Sequence, residues 1–195
     1  MRLFSISLLF SIAFALQAQQ TPEGLPFDSI PAAPATYDAN AMLARIVDGL
    51  GFRYRHATED LRPEDLAYEP GNGGQSCRAV LEHLHGLSGV IYNSFAGQPN
   101  PRPRPAAPDR WEDLRAATLH NLKKASDLLH TAQGSPQDYD IIFQRGEKTS
   151  RFPVWNLING PLTDAIYHVG QIVSYRRTAG NPVNPGINVF MGTVN

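Results

Sequence analysis

Asp164 and His168 stand four residues apart in the segment Thr163-Asp164-Ala165-Ile166-Tyr167-His168-Val169-Gly170-Gln171 of this 195-residue chain. On a helix, residues at that spacing share a face about 6 Å apart, so a carboxylate and an imidazole there can grip one metal ion. A third ligand must come from elsewhere. At about 100° per residue, Leu162, Ala165, Ile166, Val169, Ile172 and Val173 form an apolar stripe, while Asp164, His168, Gln171 and Tyr175 fall on the opposite side. The pattern alone also fits a solvated polar face on which Asp164 and His168 are only an intrahelical pair. His83 and His85 are the candidates for the third ligand, and periodicity does not choose between them. Each lies at an edge of an apolar face, and they point about 200° apart, so both cannot bind one ion.

Four amphipathic segments would position these residues. Leu43, Ile46, Val47, Leu50, Tyr54, Ala57 and Leu61 repeat at helical steps behind a cap at Asp38, although Gly49 and Gly51 weaken the pattern. Residues 62–66 read as a turn, and Ser76 caps a second helix carrying Val80, Leu84, Leu87, Ile91 and Phe95. Pro99, Pro101, Pro103, Pro105 and Pro108 forbid regular structure beyond it, leaving a stiff connector with Arg102 and Arg104 interleaved. Asp109 and Glu112 form a capping box for a third helix, which Gly134 and Pro136 stop. A small hairpin is expected over 139–154, and Pro161 should begin or kink the last helix, which ends at Ala179-Gly180. Trp111 and Trp155 are expected in the core. These patterns predict an all-α four-helix bundle with a short hairpin or irregular insert before the last helix.

Residues 1–18 have one charge at Arg2, an apolar run and a small residue at Ala18, the pattern of a secretory signal peptide. Cleavage is expected after Ala18, with Ala13-Phe14-Ala15 as the alternative, and the product is periplasmic or extracellular. Residues 19–36 form a Pro/Ala-rich extended arm and 37–195 the helical domain. Removing Arg2 from the 17 basic residues leaves 16 against 18 acidic ones, a net charge of −2 that offers no handle on nucleic acid or anionic lipid. Apart from the leader no long apolar segment occurs, so no stable membrane insertion is expected. Cys77 is the only cysteine, which excludes an internal disulfide. A homodimer is compatible with this composition.

The segment Ser76-Cys77-Arg78-Ala79-Val80-Leu81-Glu82-His83-Leu84, taken with His168 and Gly170-Gln171, resembles the DinB-like superfamily of small four-helix-bundle metalloproteins. Members typically carry one histidine on the second helix, then an H-x-x-x-H pair followed closely by Gly-Gln on the last. Here Asp164 stands in place of the first histidine of that pair. The resemblance spans the region after the leader. It implies that His83 rather than His85, with Asp164 and His168, holds one divalent metal in an open pocket at one end of the bundle. Three protein ligands leave a position open for water or a substrate thiolate, as in a catalytic site. Two nitrogens and one oxygen suit zinc, and also nickel. The implied function is a secreted metal-dependent hydrolase or transferase acting on a small molecule. The alternative is a non-catalytic ligand-binding bundle with a degenerate or structural metal site, to which the Asp164 departure points.

Outside this set, His56, His120 and His130 are placed near helix ends or outer faces. Cys77 is read as a small buried residue despite its place in a first helical turn. Arg176 and Arg177 fit compensation of a helix C-terminus, with one of them available to face an anionic substrate.

Overall fold

Asp38 Oδ1 accepts the Ala41 N–H at 2.9 Å, and Ser76 Oγ accepts that of Ala79 at 3.2 Å. Helices α1 (Ala39–Ala57) and α3 (Cys77–Phe95) therefore begin where capping chemistry places them. The structure, a computed structural model, describes residues 24–195; the expected signal peptide and the start of the 19–36 arm lie outside the described residues. From residue 24 the arm runs along α1. Arg45 Nη1 donates to Pro31 O at 2.9 Å, and Phe27 is buried against Gly51. A Cβ on Gly51 would lie 2.6 Å from the Phe27 ring, so this glycine, unfavourable by helix propensity, makes room for the arm.

The expected turn over 62–66 is a short helix, α2 (Pro63–Ala67), in which Asp65 Oδ2 accepts the Arg62 backbone N–H at 2.9 Å. Helix α4 (Trp111–Thr131) starts without the expected Asp109/Glu112 capping box. Arg110 is its N-cap, with no side-chain cap bond, and its guanidinium reaches Glu112 at 3.5 Å and Asp113 at 3.8 Å. Those two carboxylates suit the positive end of the helix without capping it. α4 packs against both α1 and α3, burying Leu114, Leu119, Leu122 and Leu129 with Val47, Leu50, Val80, Leu81 and Ile91.

The all-α expectation is wrong. Strands β1 (Pro99–Pro101), β2 (Asp140–Arg145) and β3 (Lys148–Pro153) form a mixed three-stranded sheet, and β4 (Ile187–Asn188) pairs with β5 (Thr193–Val194). The β2–β3 hairpin falls where patterning puts it, closed by Gly146 at φ 57°. Parallel pairing of β1 is the surprise, with Pro99 opposite Ile142 and Pro101 opposite Gln144. Proline is tolerated because β1 is an edge strand. Asn100, the residue between the two prolines, is buried, and its Nδ2 donates to Ile142 O at 3.1 Å. Ile141 and Ile142 carry β2 into the core, so the sheet is a structural layer and not an insert.

The last helical stretch comprises α5 (Val154–Leu157), a wide π turn (Ile158–Leu162) and α6 (Thr163–Thr178). Pro161 neither begins the helix nor interrupts it. It sits in the widened turn, which avoids the carbonyl clash of a normal turn, and Thr163 Oγ1 donates to Ile158 O at 2.6 Å. Trp155 lies in this stretch at 70 % exposure, so it is not a core residue, whereas Trp111 packs against the core from a half-buried position.

Asp65 also clamps the far end of α6. It receives Arg62 Nη2 at 2.9 Å and Asn181 Nδ2 at 2.6 Å, and Arg62 Nη2 bonds Ala179 O at 3.1 Å. The Arg62 hydrogen bonds, opposed by burial, pull the Asp65 carboxyl down to about 2 from its ordinary 3.8. A depressed folded-state pKa means that the stabilisation is fully present above about pH 4 and is lost as pH falls toward 2. With Arg62 half-exposed and screening allowed for, the effect should be about 1–2 kcal/mol. Urea midpoints should show Asp65→Asn less stable than the parent near pH 6, with the gap closing as the acid limb is descended. A gap independent of pH would mean that the charge of Asp65 is not what matters.

Candidate metal centre

His83 on α3 meets Asp164 and His168 on α6. His83 Nε2 lies 3.0 Å from Asp164 Oδ2, and His168 Nε2 lies 3.3 Å from Asp164 Oδ1. The three potential ligating atoms all fall within 4.8 Å of one another, a group that could hold a metal ion. All three side chains are partly exposed, His168 least. The two imidazoles meet edge to face at 4.8 Å, so their nitrogens converge on the carboxylate instead of stacking.

A chain of hydrogen bonds behind His168 fixes where its proton sits. The backbone carbonyl of Gln75 can only accept, so the Tyr175 hydroxyl, 3.2 Å away, donates to it. Tyr175 Oη must then accept from Gln171 Nε2 at 2.5 Å, which turns Gln171 Oε1 toward His168 Nδ1 at 2.8 Å. Oε1 is an acceptor, so Nδ1 carries the hydrogen and Nε2 presents its other valence to the Asp164 carboxylate. In the neutral ring that is a lone pair facing a carboxylate oxygen at 3.3 Å. Such an arrangement calls for a cation between them, either a proton or a metal ion. The group could therefore hold a metal ion, with Gln171 hydrogen-bonded behind one of its imidazoles.

His85 is directed elsewhere. Thr118 Oγ1 donates to Leu114 O at 2.8 Å, leaving its oxygen to accept from His85 Nδ1 at 3.2 Å. Burial, and secondarily Arg104, lowers the His85 pKa. Of the remaining histidines, His120 is exposed as expected, but His56 is buried and meets Asp28 O at 3.2 Å. His130 pairs across helices with buried Asp48 at 3.2 Å, and Ser126 Oγ donates to the same carboxylate at 2.5 Å. Cys77 is buried, and desolvation pushes its thiol up to about 12, which makes it inert.

The three residues, all partly exposed, lie between α3 and α6, and a groove of about 580 Å³ on the surface is lined by other residues. Gln171 and Tyr175 were visible in the sequence as members of the polar stripe, but their orienting role was not. Their i+3 and i+7 spacing from His168 was the available signal, while Gln75 is distant in sequence. Comparison with protein-family models, curated proteins and solved structures finds no match to the chain.

Replacing Gln171 by leucine should leave the fold intact while freeing the His168 ring to rotate and change tautomer. Metal affinity, measured by competition with a chromogenic chelator, should fall roughly 10- to 100-fold with an unchanged circular dichroism spectrum. Undiminished affinity would show that the chain from Gln75 to His168 does not orient the ligand.

Proposed function

We propose that this chain is an exported metal-binding protein related to the DinB-like metalloproteins, in which His83, Asp164 and His168 hold one divalent ion for hydrolysis or group transfer on a small molecule. The observation that carries the reading is the fixed tautomer of His168, whose Nε2 faces a carboxylate oxygen at 3.3 Å. Two imidazoles and one carboxylate favour zinc, with nickel as the next fit. When bound, such an ion supplies Lewis acidity toward a carbonyl or phosphoryl group. The chain supplies position. Asp164 offers one oxygen to each imidazole, Gln171 fixes the ring of His168, and the partial exposure of all three leaves an approach from solvent. Tyr167, exposed and 5.4 Å from the His168 ring, provides an aromatic face at the edge of that approach.

A non-catalytic metal-binding protein is the second reading. It is favoured by the partial exposure of the three residues, since a site that does not exclude water gains less from electrostatic preorganisation.

His83→Ala or His168→Ala should abolish stoichiometric zinc in protein purified without a nickel column, measured by elemental analysis, and His85→Ala should retain it. Retention of a full equivalent in both of the first two variants would sink the assignment.

The ion should serve chemistry more than folding, because the ligands come from polar edges of two helices whose apolar faces are already packed. Chelation should leave the helical circular dichroism signal in place, and added metal should stabilise by mass action alone, about 3 to 4 kcal/mol at 100 to 1,000 times Kd. Collapse of the helical signal on chelation would make the ion structural and favour the second reading.

A further inference from the structure

The face of α6 turned away from Asp164 and His168 borders a groove of about 580 Å³, flanked by α1 on one side and by the 183–189 segment on the other. That volume lies in the range of small-molecule sites. Ala57, Val169, Val173, Ile187 and Val189 make its walls apolar, and two cationic residues, half-buried Arg53 and exposed Arg177, line the same space. Neither has an acidic partner among the described residues. Among the described residues, Arg53 Nη1 bonds the Gly49 carbonyl of its own helix, at 3.0 Å, and the Arg177 side chain has no hydrogen bond or ion pair. No Asp or Glu lines the groove; Glu59, the closest in chain to the wall residue His56, is directed to that imidazole at 3.6 Å. Gly170 keeps the floor open, since a Cβ there would meet nothing within 4 Å.

We propose that this groove binds an amphipathic carboxylate, its hydrocarbon body along the apolar walls and its head on Arg53 and Arg177. Charge complementarity selects the class. A purely apolar ligand would make no use of the two cations at the groove, half-buried Arg53 and exposed Arg177, and a small inorganic anion would leave most of the volume empty. The carboxylate accepts hydrogen bonds in the geometry that guanidinium donates best. This site is separate from the candidate metal centre, which occupies the opposite face of the same helix.

Isothermal titration of the full mature chain with decanoate, beside decanol as the uncharged analogue, tests the proposal. Decanoate should bind with one site per chain and decanol about tenfold more weakly or worse. Arg53→Gln and Arg177→Gln should each weaken decanoate about tenfold and leave decanol unchanged. Gly170→Leu, which places a side chain in open space and raises helix propensity, should block both ligands with the circular dichroism spectrum preserved. His168→Ala should bind decanoate like the parent, so failure of the metal assignment leaves this result untouched. No binding at millimolar decanoate, equal affinity for acid and alcohol, or loss of binding in His168→Ala would each overturn the proposal. So would a dimer in sedimentation velocity that Gly170→Leu dissociates, which would make the groove an interface between two copies of the chain.

Discussion

The position of α6 depends on one buried cation. Arg176 is almost fully enclosed, and its guanidinium donates to Ala57 O at 3.0 Å, Asn181 O at 2.8 Å and Asn181 Oδ1 at 3.2 Å. These acceptors belong to the C-terminal end of α1 and the chain just beyond α6, where the helix dipoles place negative charge. Burial lowers the Arg176 pKa, opposed chiefly by Asp65 and Asp60, and Asn181 passes the connection on to Asp65 at 2.6 Å. A buried charge is tolerated only with its hydrogen bonds satisfied, so this network admits one arrangement of the three helix ends. Rotation of α6 would break it, and the same rotation would carry Asp164 and His168 away from His83.

Held in this way, α6 presents a polar strip to α3. Asp164 sits between two imidazoles, and one of them has its proton drawn to the far side by Gln171. A solvated polar face would relax such a contact by rotating a side chain. Here the anchor is a backbone carbonyl, Gln75 O, reached through Tyr175, whose ring is buried and packed 5.2 Å from Tyr68. The arrangement is held in place by packing and by a backbone acceptor.

The Asp164–His168 spacing was legible in the sequence because helical periodicity is local. So were the caps at Asp38 and Ser76 and the apolar stripes of the long helices. Choosing His83 over His85 was beyond periodicity, since both lie at an edge of the same apolar face; Thr118 on α4 decides it, by giving His85 a partner of its own. The strand at Pro99–Pro101 was hidden by a rule applied too widely. Proline removes a donor from a ladder, but an edge strand has one side that needs no donor. Asp48 sits among apolar positions of α1 and pairs with Ser126 and His130 of α4, a contact that no local pattern encodes. Gly51 carried a visible signal of the opposite sign: its helix penalty pointed to weakness, where its function is to admit Phe27.

α6 meets several different surroundings along its length. Leu162, Ala165, Val169 and Ile172 are buried, Ile166 is 40 % exposed, and Asp164 and His168 face the α3 side. A helix serving only a core would place apolar residues on one stripe and solvated charge on the other. This one has an imidazole and a carboxylate held by hydrogen bonds on one face, and Gly170 and Arg177 on the other, where Arg53 of α1 lines the same groove. The Gly170-Gln171 pair joins the two faces. Gln171 turns toward the His168 ring, while Gly170, one residue earlier and about 100° around the helix, leaves open the groove bordered by Arg177 and Arg53. Departures from simple patterning gather on this helix because its side chains are constrained by more than packing, as local rules are expected to fail where a chain carries function.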